Sequence, residues 1–200
     1  MGLLSFKHST MGGGKSAILI AKASLNPKYS LCLKPHVDTR DGKDIIFSRN
    51  GSFVKSFSIV EAQEPEEMIK QLNLYVMNHK SQHGTEPKFI FIDEAQFLTK
   101  GQVDGLLYFS ILQDIVIECY GLLVDFKTEL FEGSKRLIEV ADEVESIRAY
   151  DLEGNPARQN ARICDGEILK EGQQVLLGKE DVYQAVSNKK YFKEELQKYV

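Results

Sequence analysis

Short apolar runs alternate with amphipathic stretches along the first three-quarters of the chain. Residues 2–8 read as a short buried strand, and residues 15–25 as a helix opened by a glycine-rich turn. Residues 31–34 form a second apolar run closed by Pro35, and residues 56–60 fit a third strand. The polar stretch 38–51 reads as a loop. Residues 65–79 have helical spacing, with Met68, Leu72, Leu74, Tyr75 and Met77 as the expected buried stripe. After a turn-rich linker at 82–88 comes Phe-Ile-Phe-Ile-Asp-Glu (89–94), a continuous apolar run ending in two carboxylates. Residues 101–113 predict a helix, 115–120 a buried strand, and 134–144 a helix of mixed face. This alternation predicts an α/β fold, a parallel sheet flanked by helices. From Tyr150 to Lys190 the chain is rich in Gly, Asn, Asp, Glu and Lys and has no long helical pattern. The expected division is an α/β nucleotide-binding domain (1–149), a small subdomain of short strands or loops (150–190) and a C-terminal tail (191–200), with residues 188–200 able to form a terminal helix.

The glycine-rich turn carries the strongest chemical signal. Residues 9–16 read Ser-Thr-Met-Gly-Gly-Gly-Lys-Ser, directly after the first predicted strand. This is the arrangement of a phosphate-binding loop. Glycines let the backbone turn tightly and aim its N–H groups at polyphosphate oxygens. Lys15 would reach the β- and γ-phosphates, and the Ser16 hydroxyl would face Mg²⁺. Ser9, Thr10, Met11, Gly12, Gly13, Gly14, Lys15 and Ser16 are therefore the expected ATP-binding residues. The chain departs from the usual pattern at Ser9, where a glycine is normally found.

The strand ending at Asp93 is the second signal. In phosphate-loop proteins such an Asp holds Mg²⁺ directly or through water. Glu94 would project at the carboxyl end of the sheet, where ligands bind in open α/β folds, and can accept a proton from an attacking hydroxyl or water. Asp-Glu-Ala-Gln (93–96) is superficially like a helicase box, but 200 residues are too few for two helicase sheet domains.

Composition narrows the partners. With 42% hydrophobic residues the chain can bury a core, and its net charge of −4 gives no global attraction to nucleic acid or anionic membrane. No apolar run approaches the roughly 20 residues of a spanning helix. Cys32, Cys119 and Cys164 show no pair spacing, so neither a disulfide framework nor a metal knuckle follows from them, and a reducing cytoplasm is the simplest compartment.

Taken in order, Ser-x-Met-x-x-Gly-Lys-Ser (9–16), Lys-Pro-x-x-Asp-Thr-Arg (34–40), Asp-Glu-Ala-Gln-Phe (93–97), Tyr-Gly-Leu (120–122), Asp-Phe (125–126), Leu-Phe-Glu-Gly-Ser (130–134) and Gly-x-x-x-x-Tyr (178–183) resemble the small, phosphate-loop, zinc-lasso thymidine kinases of bacteria and their large phages. The resemblance covers nearly the whole chain. It implies phosphoryl transfer from ATP to the 5′-hydroxyl of thymidine in deoxynucleoside salvage for DNA synthesis. It implies Glu94 as the base, Arg40 as a phosphate contact and Asp38 in the Mg²⁺ shell with Ser16 and Asp93. It also implies a nucleoside site lined by Met11, Gln96, Phe97, Phe126, Val175 and Tyr183, the last two from a lasso whose backbone reads the base. Gln96 would bond the sugar or orient Glu94. Feedback binding of dTTP and a homotetramer are further implications.

The family lasso is usually pinned by zinc in two Cys-x-x-Cys pairs. Alignment on Gly154 and Ala157 puts Tyr150 and Glu153 at the first pair, and alignment on Tyr183 puts Ser187 and Lys190 at the second. All four sulfurs are missing, Lys is no ordinary zinc ligand, and one carboxylate does not make a site. No structural zinc is expected. Glu153 with Lys190, and Tyr150 with Ser187, are the expected replacement contacts. Two alternatives to the kinase remain open at this stage: a nucleotide-binding regulator without catalysis, and an ATPase in which Glu94 activates water.

Overall fold

The computed structural model describes every residue except 1, 39–41, 43, 173–181 and 200. The first strand, β1 (Leu3–His8), runs into the glycine turn and then α1 (Lys15–Leu25). Next come β2 (Ser30–Pro35) and a hairpin of β3 (Ile45–Phe47) and β4 (Phe53–Lys55). They are followed by β5 (Phe57–Ile59), α2 (Pro65–His83) and β6 (Phe89–Ile92). Then α3 (Lys100–Gln113), β7 (Val116–Gly121), α4 (Glu132–Val140) and β8 (Glu143–Ser146) complete the larger layer.

Six strands form one sheet in the order β5-β2-β6-β7-β1-β8, every pairing parallel. The central strands read Leu-Leu-Ser-Phe, Leu-Cys-Leu and Phe-Ile-Phe-Ile because both faces are covered. On one face Met68 and Leu72 of α2, Val103, Leu106 and Phe109 of α3 and Leu137 of α4 pack with Leu4, Phe6, Ile90, Ile92 and Ile117. On the other, Leu19, Ile20 and Ala23 of α1 pack with Cys32, Phe91, Tyr120 and Ile46 of the hairpin. The carboxyl ends of β1, β6 and β7 therefore open on one edge, and that edge carries the glycine turn, Asp93 and Glu94.

Downstream, β9 (Ala149–Tyr150) pairs with β10 (Pro156–Ala157). A three-stranded antiparallel sheet has β11 (Gln159–Cys164) between β12 (Glu167–Leu169) and β13 (Val182–Val186). Its core is Ala161, Val186 and Tyr191, backed by Ile163, Ile168 and Phe192. Two one-turn helices follow, α5 (Asn188–Tyr191) and α6 (Lys193–Leu196).

Three expectations are corrected. The stretch 38–51 is not wholly loop, because it holds β3, whose Ile46 is buried. The stripe on α2 excludes Leu74 and Met77, which are 59% and 66% exposed. At 3.6 residues per turn they stand roughly 240° and 180° around the helix from Met68, whereas His79 returns to the Met68 face. His79 is buried there, with Nε2 2.9 Å from the Lys28 carbonyl. The helix at 134–144 ends at Val140, and residues 143–146 are the edge strand β8. All four β8 residues are exposed, so no alternation betrayed the strand; its parallel pairing with β1 creates it.

Candidate active site

The phosphate loop owes its shape to glycines with two different jobs. Gly14 caps α1 in the left-handed region at φ 81°, a conformation that costs a side-chain residue energy. Gly13 is there for space: a Cβ on it would sit 2.0 Å from the Ser9 Oγ. Ser9, the departure from the usual pattern, donates its hydroxyl to the Ile147 carbonyl at 2.8 Å. The loop is thus tied to the strand edge by the very residue that breaks the motif. The amide of Gly13 donates back to the Thr10 carbonyl at 3.2 Å, and the buried Lys15 ammonium donates to Thr10 O at 2.9 Å. The N-terminus of α1, with the Lys15 ammonium beside it, is an arrangement that can hold an anion.

Asp93 follows β6, its amide donating to Leu33 O of β2 at 3.0 Å. Its carboxylate accepts from the Ser16 side chain and from the Glu94 amide, the latter at 3.0 Å. Burial pushes the Asp93 carboxyl up to about 6; the neighbouring Glu94 charge adds to the rise, and Ser16, the Glu94 amide and the Lys15 charge oppose it. Glu94 itself sits at φ 50°, ψ 38°. A left-handed Glu is strained, and such strain at a cleft is a functional signature. Gln96 is buried, donates its amide to the Glu94 carboxylate and accepts from the Leu122 amide at 3.0 Å. The hydrogen bond to Glu94 is the contact that the orienting role would use, and the sugar role is left open.

Met11, Gly12, Gly13, Gly14, Lys15, Ser16, Asp38, Asp93, Glu94 and Leu122 line one cavity of about 540 Å³, together with residues 45–50 of the hairpin. Asp38 faces this cavity with its carboxylate 3.6 Å from the buried Lys34 ammonium. Arg40 and Val175 lie outside the described residues.

The aromatic residues expected at a nucleoside site, Phe97, Phe126 and Tyr183, are not in the lining of this cavity and lie in two edge-to-face ring pairs. Phe97 meets Phe131 at 5.9 Å, and Phe126 meets Tyr183 at 6.5 Å. Phe126 is held by the Tyr191 hydroxyl, which donates to its carbonyl at 2.6 Å, and by the Arg162 guanidinium 5.4 Å from its ring. Asn160, buried on β11, joins the two regions. Its Oδ1 accepts from the Met11 amide at 2.7 Å, and its Nδ2 donates to Val124 O at 3.1 Å. Nothing in the motif comparison pointed to Asn160. Its signal is only a polar residue in a strand pattern.

Of the expected replacement contacts, Lys190 Nζ does reach Glu153 Oε1, at 3.3 Å. No bond joins Tyr150 to Ser187; the Ser187 hydroxyl caps α5 by accepting from the Lys190 amide. Asp151, which no motif in the sequence marks, bridges the two turns. Buried, it accepts from the amides of Glu153 (3.0 Å), Asn155 (2.9 Å) and Ser187. Among the described residues no three His, Cys, Asp or Glu side chains gather as a metal-binding group.

A family profile described as thymidine kinase matches residues 2–191. The chain belongs to the thymidine kinase family. A thymidine kinase of Legionella pneumophila (strain Lens) is 34% identical over 96% of this chain and 90% of its own length. Those of Enterobacteria phage T4 and Lactococcus lactis are 32% and 33% identical, over 94% and 98% of this chain and 95% and 100% of their own lengths. Among solved structures, the Pif1 helicase from Candida albicans aligns over 73% of this chain and 36% of its own, with TM-score 0.41 and 13% identity. The Legionella pneumophila ATPase DotB aligns over 78% and 43%, at 0.40 and 9%. In this member of the family the glycine turn, Asp93 and Glu94 line one cavity.

Proposed function

We propose that this chain is an ATP-dependent thymidine kinase that moves the γ-phosphoryl group of ATP to the 5′-hydroxyl of thymidine. The observation that carries the reading is the convergence of Lys15, Ser16, Asp93 and a left-handed Glu94 on one cavity. Phosphoryl transfer asks for positioning and charge neutralisation and for little covalent chemistry. The loop amides and Lys15 grip the triphosphate. Glu94, aimed by Gln96, takes the proton of the 5′-hydroxyl as that oxygen bonds to the γ-phosphorus. The bond from γ-phosphorus to the bridging oxygen breaks, and its electron pair leaves with ADP. Arg40 belongs to this scheme as a further cation on the phosphates.

The donor set fits Mg²⁺, because Asp93 and the Ser16 hydroxyl already touch and the Asp93–Glu94 pair concentrates negative charge. A phosphate-bound Mg²⁺ needs only one or two protein ligands, the rest being phosphate and water. Ser16 and Asp93 would hold it and Asp38 would join from further out; when bound, the ion would screen charge on the β- and γ-phosphates. Met11, Gln96, Phe97, Phe126, Val175 and Tyr183 make up the nucleoside side of the reading, within a division into a domain of 1–149, a lasso of 150–190 and a tail of 191–200. A homotetramer, feedback by dTTP, a cytoplasmic location and a lasso without zinc complete the proposal. No helix among the described residues is long and apolar enough to cross a membrane.

A coupled assay of ADP release across the common deoxynucleosides tests it. ATP should be consumed with thymidine and not without it, and Glu94→Gln should lose at least a hundredfold in kcat. Consumption without nucleoside would make the chain an ATPase, and binding without turnover would make it a regulator. Full activity in Glu94→Gln would remove Glu94 as the base.

A further inference from the structure

We propose that Arg49 is an additional donor-phosphate ligand, carried to the glycine turn by the β3–β4 hairpin; this rests on the kinase reading above. The hairpin pairs Ile45 with Lys55, Ile46 with Val54 and Phe47 with Phe53. Ile46, 2% exposed, and Val54 pack against Leu19, Ile20 and Ala23 of α1. The hairpin therefore rides on the helix that the phosphate loop opens, so its tip keeps a fixed place relative to that loop.

The tip is itself well built. The Ser48 amide donates to Ser52 O at 2.8 Å and the Gly51 amide to Ser48 O at 2.9 Å. The Asn50 Oδ1 accepts from the Ser52 amide at 3.0 Å and from its hydroxyl at 2.6 Å. Ser48 is buried and Gly51 takes φ 89°. A loop stitched this way presents its one cation in a narrow range of positions. That cation is Arg49, and its Nη1 lies 3.5 Å from where a Cβ on Gly12 would stand.

Arg49 lines the cavity shared with Gly12, Gly13, Gly14 and Lys15. Among the described residues no carboxylate forms an ion pair with it. An exposed arginine with no partner is commonly just solvated. Here, however, the guanidinium reaches the glycine turn that the kinase reading assigns to the triphosphate, and a fork of N–H donors matches phosphate oxygens. Among the described residues, Lys15 and Arg49 are the two cations of a cavity lining that also carries the carboxylates Asp38, Asp93 and Glu94. Gly12 itself takes φ 72°, a left-handed turn conformation, and the Arg49 guanidinium lies at van der Waals distance from its Cβ position.

Steady-state kinetics on the full chain tests the assignment, with Arg49→Ala, Arg49→Lys and, as a charge-matched control on the same hairpin, Lys55→Ala. Arg49→Ala should lower kcat/KM for ATP by about 10- to 100-fold, the worth of a hydrogen bond to a charged group. The KM for thymidine and the melting temperature should not move. Arg49→Lys should recover part of the loss, and Lys55→Ala should match wild type. A kcat/KM for ATP within twofold of wild type in Arg49→Ala would overturn the proposal. So would an equal loss in Lys55→Ala, which would reduce the effect to net charge. A wild-type chain that fails to phosphorylate thymidine would sink the kinase reading instead, and the two failures are distinct.

Discussion

Removing the Asn160 side chain should loosen both ends of the site at once. Its amide is 3% exposed and makes two bonds, accepting from Met11 N at 2.7 Å and donating to Val124 O at 3.1 Å. Asn160→Ala leaves a main-chain donor in the phosphate loop and a main-chain acceptor beside Phe126 without partners. A buried polar group stranded in this way costs about 1–3 kcal/mol. Two of them, one near half-exposed Met11, should cost about 3 kcal/mol together. For a chain of this size that is a fall of about 6–12 °C in melting temperature. Asn160→Asp separates the two bonds. It keeps the acceptor for Met11 and sets an oxygen against the Val124 carbonyl, so it should fall between alanine and wild type. Because Met11 belongs to the loop, the KM values for ATP and thymidine should both rise in Asn160→Ala. Differential scanning fluorimetry with steady-state kinetics reads both effects. A melting point within about 2 °C of wild type, with both KM values unchanged, would show that the bridge holds nothing.

Asp93 gives a pH signature. Its carboxyl is raised to about 6 by burial first and by Glu94 second, so in the metal-free protein it favours folding below the ordinary Asp range. That contribution fades as pH rises through 6. Asp93→Asn should therefore be more stable than wild type at pH 8 without Mg²⁺, by up to about 3 kcal/mol, and gain little near pH 4. A gain independent of pH would refute the assignment, and kinase activity should be lost at every pH. Gly13→Ala should drive the Ser9 hydroxyl off Ile147 O, weaken ATP binding and cost about 1–3 kcal/mol of stability, as overpacking does. Adding Ser9→Gly should restore part of both, since two of the three clashing atoms go with it; strictly additive losses would mean that the glycine serves something else.

The elements that sequence made legible are those whose cause is local. A continuous apolar run between turn residues declares a parallel strand, and Gly-Gly-Gly-Lys-Ser declares the loop and the helix behind it. Asp93 and Glu94 were readable because they end such a run. What escaped was decided by partners distant in sequence. The strand β8 has four exposed residues and exists through pairing with β1, 138 positions away. The hairpin was hidden among polar residues, and only Ile46 and Val54, packed on α1, fix it. Arg49, Asn160 and Asp151 are single polar residues, and nothing in their neighbourhoods marks them until the chain is folded. The Ser9 departure looked like a weakness in the motif, yet folded it is a tether to Ile147.

Asp151 joins two turns at the place where the family resemblance implies a zinc-pinned lasso. A zinc knuckle gathers anionic sulfurs on a cation. Here the sign is inverted: amides from two separate turns, Glu153 and Asn155 in one and Ser187 in the other, gather on a single buried carboxylate. Burial works against the charge, but the donors at Asn155, Glu153 and Ser187 prevail and hold the Asp151 carboxyl below its usual range. The Glu153–Lys190 pair spans the same gap at 3.3 Å with both side chains well exposed. An exposed pair contributes only about 0.2–1 kcal/mol, so Asp151 should be the stronger pin. The linkage sign follows from the lowered carboxyl: its stabilisation is present above the ordinary Asp range and lost as pH falls through the lower folded value. Asp151→Ala should then lower the melting temperature at pH 7 more than Glu153→Gln or Lys190→Gln, and the difference from wild type should shrink in acid. Chelator should leave wild type unmoved. If EDTA lowered the melting temperature, or if Lys190→Gln cost more than Asp151→Ala, the two turns would be joined by something other than this carboxylate.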